Sequence, residues 1–243
     1  MKKRNLVGLL LGLFVSSVCM TSCDNDDDYA IYRPTALVTV YPKSADSFVM
    51  QLDEKTTLIP TNMKASPFGE KHVRALVNYE DESELQVSDV RNVHVNWIDS
   101  IRTKEPVPTT GVDDAEIYGN DPIEIVRDWV TVAEDGFLTL RVRTKWGSGK
   151  IHYINLITGV NKENEYELTL RHDANGDMSD FVGDALIAFD LNGLWGDFQE
   201  DIKIKLNWLS FSGEKSTEFS LKMHPTDAPA EVRERLPLSR CVK

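Results

Sequence analysis

Three cysteines in 243 residues leave this chain little redox chemistry. Cys19 and Cys23 fall in an N-terminal segment with the features of an export signal, and Cys241 is the third residue from the end. With Cys19 removed and Cys23 acylated, no internal disulfide is possible. Long apolar runs are also missing. Residues 6–18 form one uncharged stretch, shorter than the roughly 20 residues a spanning helix needs, and nothing later matches it. The five histidines, His72, His94, His152, His172 and His224, show no HxH or HxxxH spacing beside an acid. Trp146-Gly-Ser-Gly-Lys150 is neither a GxSxG elbow nor a phosphate-binding loop, because it lies between strands and precedes no helix. Carboxylates are plentiful, but none sits in a motif that marks an acid–base pair. Basic charge is scarce. Residues 1–22 carry Lys2, Lys3 and Arg4 and no acid, so their removal takes the formal charge from −12 to −15. Phosphate backbones repel such a chain, which argues against nucleic acid as a partner.

What is present begins with an address. A basic start, the apolar residues 6–18 and Met20-Thr21-Ser22-Cys23 resemble a lipoprotein signal cut before Cys23. Met20 stands where leucine is usual. An ordinary secretory signal cut nearby and an uncleaved anchor are the alternatives. Multiple acyl chains on Cys23 would hold the chain to a membrane, since each buried CH₂ contributes about 0.8 kcal/mol. Asp24-Asn25-Asp26-Asp27-Asp28 comes immediately after. It reads either as a solvated tether or as a surface-export signal like that of some Gram-negative lipoproteins, whereas in other groups an aspartate here means inner-membrane retention. The expected location is lipid-anchored in the envelope, at the outer membrane and the cell surface.

Period-2 alternation dominates the remainder. Residues 36–41, 47–52, 57–60, 72–79 and 91–101 read as five strands, with Val93, Val95 and Trp97 on one face of the last. Five strands in so short a span suit a small barrel of the oligonucleotide/oligosaccharide-binding type. A Pro/Thr/Gly-containing run opens at Lys104 and reads as a linker. Residues 123–132 and 137–145 flank Glu134-Asp135-Gly136, a hairpin signal. Residues 151–158, 165–171, 185–191, 202–211 and 218–223 complete an antiparallel sandwich. The expected fold is all-β. Its layout is signal 1–22, tether 23–32, barrel domain 33–103, linker 104–121, sandwich 122–224 and tail 225–243, the tail with one short helical turn at 229–236.

In this order, the lipobox, barrel unit, proline-containing linker and second β unit resemble the NigD-like lipoproteins over about residues 33–225. Val93-His-Val-Asn-Trp97 leading to Ile101, Leu168-Thr-Leu-Arg-His-Asp173 and Ala188-Phe-Asp-Leu191 carry the local likeness. The resemblance implies an N-terminal OB-type domain, a C-terminal β-sandwich and a secreted or surface lipoprotein whose name is linked to bacteriocin loci. It supplies no catalytic residues.

Asp173-Ala-Asn-Gly-Asp177 places Asp173, Asn175 and Asp177 at i, i+2 and i+4, as in the first half of a calcium loop. Met178 at position six and Asp184 at position twelve depart from that pattern, and a polar turn between strands explains the same residues. Trp195, in Asn192-Gly-Leu-Trp-Gly-Asp197, and Phe198 are the candidates for ligand contact; a tryptophan tucked over the end of the core is the bland reading of Trp195. Trp97, Trp146 and Trp208 fall in phase with core positions, Trp129 is ambiguous, and Arg141, Arg143 and Lys145 form a solvated ridge or pair with acids elsewhere in the chain. The expected function is a non-enzymatic binding or accessory module without a cofactor, attached to a membrane through Cys23 and meeting a protein or glycan partner. A bacteriocin immunity factor and an envelope or glycan hydrolase are the alternatives. Cells fed labelled palmitate should incorporate it into the wild-type chain and not into Cys23→Ala; label retained in the variant would place lipidation elsewhere or remove it.

Overall fold

β1 (Thr35–Ser44), β2 (Ser47–Gln51), β3 (Thr57–Pro60), β4 (Val73–Asp81) and β5 (Val90–Ser100) close into a barrel in the order β1-β2-β3-β5-β4. The computed structural model describes residues 35–82, 89–195 and 201–222. Cys23, the acidic run after it, Phe198 and the expected tail 225–243 lie outside those residues. Alternation sends Val38, Val40, Met50, Leu58, Ala75, Val77 and Val93 into the barrel core. The expected alternation fails on β5. The register passes from Asn78↔Trp97 to Tyr79↔Val95, so Asn96 is an extra residue. Such a bulge flips the phase of the residues beyond it. Val95 and Ile98 therefore face the barrel core, while Trp97 turns outward.

The chain continues directly into the second unit. β6 (Arg102–Lys104), β7 (Val107–Pro108), α1 (Asp114–Tyr118), β8 (Glu124–Val126), β9 (Val132–Glu134) and β10 (Phe137–Lys145) come first. β11 (Tyr153–Thr158), β12 (Glu167–Asp173), β13 (Val182–Asp190), β14 (Ile202–Ser210) and β15 (Gly213–Leu221) complete it. One sheet runs β6-β13-β10-β8, with β9 also on β10, and the other runs β15-β14-β12-β11-β7. Their inner faces share one core that includes Leu140, Ile154, Leu168, Ile187, Phe189, Ile204 and Leu206. Most pairings are antiparallel, but β6–β13, β7–β11 and β12–β14 are parallel.

Residues 104–121 are not a free linker. β7 is an edge strand of the second sheet, and Asp114 ties α1 to the chain before it, accepting from the Thr109 and Thr110 hydroxyls at 2.5 and 2.8 Å. The expected strand 123–132 is also broken. The Asp128 carboxylate accepts the Trp129 N–H at 2.6 Å, its carbonyl accepts the Thr131 N–H at 3.0 Å, and the chain turns between β8 and β9. The Asp-Gly hairpin forms as the sequence predicts, with Asp135 and Gly136 at φ +52° and +74°.

Barrel and sandwich lie in one compact unit. The outer faces of β1 and β4 offer Leu37 and Leu76. The outer face of β13 offers Leu186 and Ala188, and Ile101 and Val130 complete a second, smaller core with Trp97 and Trp129 against it. Fully burying each leucine or isoleucine is worth about 1.5–3 kcal/mol. Beside this apolar patch, the hairpin turn between β9 and β10 sets two acids against the outer face of the barrel. Arg74 lies opposite Thr39 in the β1–β4 ladder. Its guanidinium donates to the Thr39 hydroxyl at 2.7 Å and to Glu134, and both partners of this ion pair are 1% exposed. Asp135 accepts from the Tyr41 hydroxyl at 2.5 Å. Burial pushes both the Tyr41 hydroxyl and the Asp135 carboxyl up from their ordinary values.

Removing one member of a buried pair strands the other charge, at a cost of about 3–5 kcal/mol. Glu134→Ala should therefore lower the stability measured by urea denaturation by that order. Arg74→Met combined with Glu134→Leu should cost less than either single change; additive losses would show that the pair is not a coupled unit.

Candidate functional site

The end of the sandwich above β10 carries a groove of about 640 Å³ lined by Arg143, Trp146, Gly147, Phe181, Val182, Gly183 and Asp184. Trp146 comes directly after the last residue of β10. Its backbone N–H donates to the Phe181 carbonyl at 2.7 Å, and its indole N–H donates to the Gly183 carbonyl at 2.7 Å. A Cβ on Gly183 would stand 2.7 Å from the indole ring, so only glycine lets the ring lie against this backbone. The ring stacks on His152, with centroids 4.2 Å apart and planes 27° apart.

Two histidines are buried below the tryptophan. His152 Nδ1 and His172 Nε2 are 2.9 Å apart, and neither residue is more than 1% exposed. Pairing of β11 with β12 brings these rings together from residues 20 apart in sequence. His172 Nδ1 has no partner of hydrogen-bonding geometry among the described residues. Burial first, and then the neighbouring His152, hold the His172 imidazole at a pKa of about 4, so it is neutral at pH 7.

Asp177 organises both loops of the groove. One oxygen accepts the Gly147 and Ser148 N–H groups at 3.0 and 3.1 Å and lies 3.4 Å from His152 Nε2. The other accepts the Ser179 N–H at 2.9 Å. The Ser179 amide, with those of Gly147 and Ser148, holds this carboxyl well below the usual carboxylate range. The loop bearing Trp146 and the loop bearing Phe181 thus hang on one carboxylate. Asp173 accepts from the Asn175 N–H at 2.7 Å and closes its own turn, in which Asn175 and Gly176 have φ of +52° and +68°. The two acids of the calcium-like motif are therefore spent on backbone donors. Among the described residues no three acidic, histidine or cysteine side chains are arranged to hold a metal ion.

The rim of the groove is apolar and open. Of its lining residues, Phe181 is 77% exposed and Val182 64%. Beside it the ridge is neutralised. Arg143 bonds Asp184 at 2.6 and 3.0 Å, Arg141 bonds Asp184 and Asp128, and Lys145 bonds Asp180 at 2.9 Å. The Arg143 hydrogen bond, helped by Arg141, keeps the Asp184 carboxyl low.

The remaining aromatics take other places. Trp208 is in the sandwich core at 8% exposure, and Trp129 joins the barrel–sandwich contact. Trp195 is half-buried against the core, its ring 5.3 Å from that of Tyr166, so it is packed over the end of the sandwich. His94 is exposed. Sequence reasoning missed the groove, because its walls are joined by contacts between positions about 30 residues apart. The available signal was Phe181-Val182 inside a polar loop.

Protonation gives a test of the histidine pair. An unfolded histidine takes a proton near pH 6.5, whereas folded His172 refuses it until about pH 4. Stability is full above pH 6.5 and falls as pH drops towards 4, by on the order of 3 kcal/mol for this one group. Urea midpoints measured from pH 7 to 4.5 should show this slope, and His172→Gln should flatten it. An unchanged slope in the variant would assign it to other groups.

Residues 37–101 match the NigD-like N-terminal OB domain, and residues 105–221 match the NigD-like C-terminal beta sandwich domain. No curated protein matches the chain. Among solved structures, a protein described as a candidate toxin-related protein from Parabacteroides distasonis is 28% identical, with a TM-score of 0.66 over 78% of this chain and 93% of that one. A NigD-like immunity protein from Bacteroides caccae is 22% identical, with a TM-score of 0.53 over 76% and 90%. A protein described as a candidate lipoprotein from Bacteroides fragilis is 13% identical, with a TM-score of 0.55 over 76% and 96%. With both domain descriptions matched in order along the barrel and the sandwich, the chain belongs to the NigD-like family.

Proposed function

We propose that this protein is a lipid-anchored envelope protein, displayed at the cell surface, that holds a protein partner in the groove beside Trp146 and catalyses no reaction. The observation that carries the reading is the exposed apolar pair Phe181 and Val182 on the wall of the groove, set on loops that Asp177 clamps. Exposed apolar side chains around a concavity mark interaction sites. A protein fits better than a glycan. Sugars stack on open aromatic faces, and one face of Trp146 is already covered by His152. The charge of the chain beyond its signal opposes nucleic acid. A hydrolytic role is disfavoured because the groove carboxylate, Asp184, is tied to two arginines and kept ionised, the opposite of a general acid. The anchor rests on the basic start, the short apolar run and Cys23, and one structural neighbour is itself described as a candidate lipoprotein.

A second reading, an immunity or accessory role towards a bacteriocin, is favoured by the toxin-related description of the 28%-identical structure. A deletion strain with unchanged sensitivity to related bacteriocins would remove it.

Intact cells test the main proposal. A photo-cross-linking residue in place of Phe181 should yield a protein adduct, and one in place of Val112, which is 97% exposed and away from the groove lining, should not. External protease should remove the protein while a periplasmic control survives. Phe181→Asp should weaken partner capture at least about tenfold, roughly the 1.4 kcal/mol expected of one lost apolar anchor. Equal adducts at both positions, or protection until lysis, would overturn the partner site or the surface location respectively.

A further inference from the structure

The other side of the sandwich presents an uncompleted sheet edge. β15 is nine residues long and pairs with β14 from Ile202↔Leu221 to Ser210↔Gly213 without a register shift. Among the described residues no strand is hydrogen-bonded along its outer edge, although β9 packs near its Leu221 end. Only Lys222, just beyond it, exchanges backbone bonds with Ala133 and Gly136. In the facing sheet β9 and β8, of three residues each, follow one another along β10 at this side, and β8 is the one beside the groove. The short strand leaves a groove of about 640 Å³ between the two sheets, with Ile125, Thr131, Trp208, Thr217 and Phe219 among its walls. Natural edges are commonly blunted by proline, bulges or short length. β15 has none of these; its charges are the remaining protection.

The chemistry of the edge specifies what fits it. A row of unpaired backbone donors and acceptors is complemented by another strand, and alternate side chains of that strand point into and out of the groove. On the inward face, Lys215 lies opposite Trp208, Thr217 opposite Leu206 and Phe219 opposite Ile204. Lys215 is bonded to Glu124 at 3.0 Å, which closes one end of the groove. Arg127 and Asp128 also line the groove, Asp128 already paired with Arg141, so apolar side chains are called for where Ile125, Trp208 and Phe219 form the wall. On the outward face Glu214 and Glu218 are exposed, and neither makes an ion pair among the described residues. Lys205 lies opposite Glu218 but gives its ammonium to Glu167 at 3.2 Å. Opposite charges on facing strand residues are favourable and like charges are not.

We propose that β15 accepts an extended segment of another protein as an additional strand, one with apolar residues facing the groove and lysine or arginine facing Glu214 and Glu218. A second copy of this chain fits less well. Self-pairing centred on Ser216 sets Glu214 against Glu218, and pairing centred on Glu218 sets it against itself.

Labelled nine-residue peptides test the proposal on the full chain. An alternating Lys–Val peptide should bind at least tenfold tighter than an alternating Glu–Val peptide, and tighter than a peptide with the five lysines and four valines in separate blocks. Amide signals of residues 213–221 should shift on binding. Glu214→Lys with Glu218→Lys, both exposed, should invert the preference between the lysine and glutamate peptides. Thr217→Arg, filling the groove, should abolish binding in a protein whose circular dichroism is unchanged; if that variant misfolds, the charge-reversal pair carries the test alone. Equal affinity for the alternating and block peptides, or shifts confined elsewhere, would overturn the assignment. So would a tenfold gain on removing residues 225–243, which would give the edge to the chain's own tail, or a dimer in sedimentation that the peptide dissociates, which would give it to a second copy.

Discussion

The buried ion pair between Arg74 and Glu134 governs how the two halves of this molecule meet. A guanidinium at 1% exposure cannot be left unpaired, because a stranded buried charge costs several kcal/mol. Its acceptors come from different places. Thr39 lies beside it in the barrel, and Glu134 arrives on the sandwich hairpin. The hairpin must therefore sit against the barrel whenever Arg74 is buried. Once it does, the outer faces of β1, β4 and β13 are brought together over Leu37, Leu76, Leu186 and Ala188. The ion pair fixes position, and the apolar contact supplies most of the burial.

That arrangement determines which surfaces remain open. The sheet containing β13 and β10 spends part of its outer face on the barrel, so its free surface lies at the end where β10 runs out at Lys145. There one carboxylate, Asp177, holds two loops through backbone amides, and a buried, neutral histidine supports the stack under Trp146. Phe181 and Val182 are thus exposed on a loop whose neighbouring turn is tied to the end of β10 through Asp177, and in the proposed function a partner would meet loops already held by these bonds.

Much of the fold was legible from alternation alone. Val38, Val40, Ala75 and Val77 gave the inner face of the barrel, Leu138, Leu140 and Val142 gave that of the sandwich, and Asp135-Gly136 gave the hairpin. The misreadings have local causes. Asn96 adds one residue to β5 and turns Trp97 over, an event without a signal in a run that still alternates. Asp128 breaks residues 123–132 by bonding its own neighbours. The run after Lys104 looks like a linker because β7 is two residues long and α1 is a single turn, each too short to show a period.

The sequence by itself determined the all-β class, the two successive units, their inner faces and the resemblance to the NigD-like family, because strand period and turn chemistry are local properties of the chain. Only the tertiary structure decided that Glu134 and Asp135, two acids on a turn, are buried in the contact with the barrel, and that His152 and His172 form one pair. It also decided that Asp173 and Asp177 serve backbone amides, and that Phe181 edges a groove. Each of these depends on which strands become neighbours and in what register. Register is set by the summed packing of distant faces, and no single segment records it.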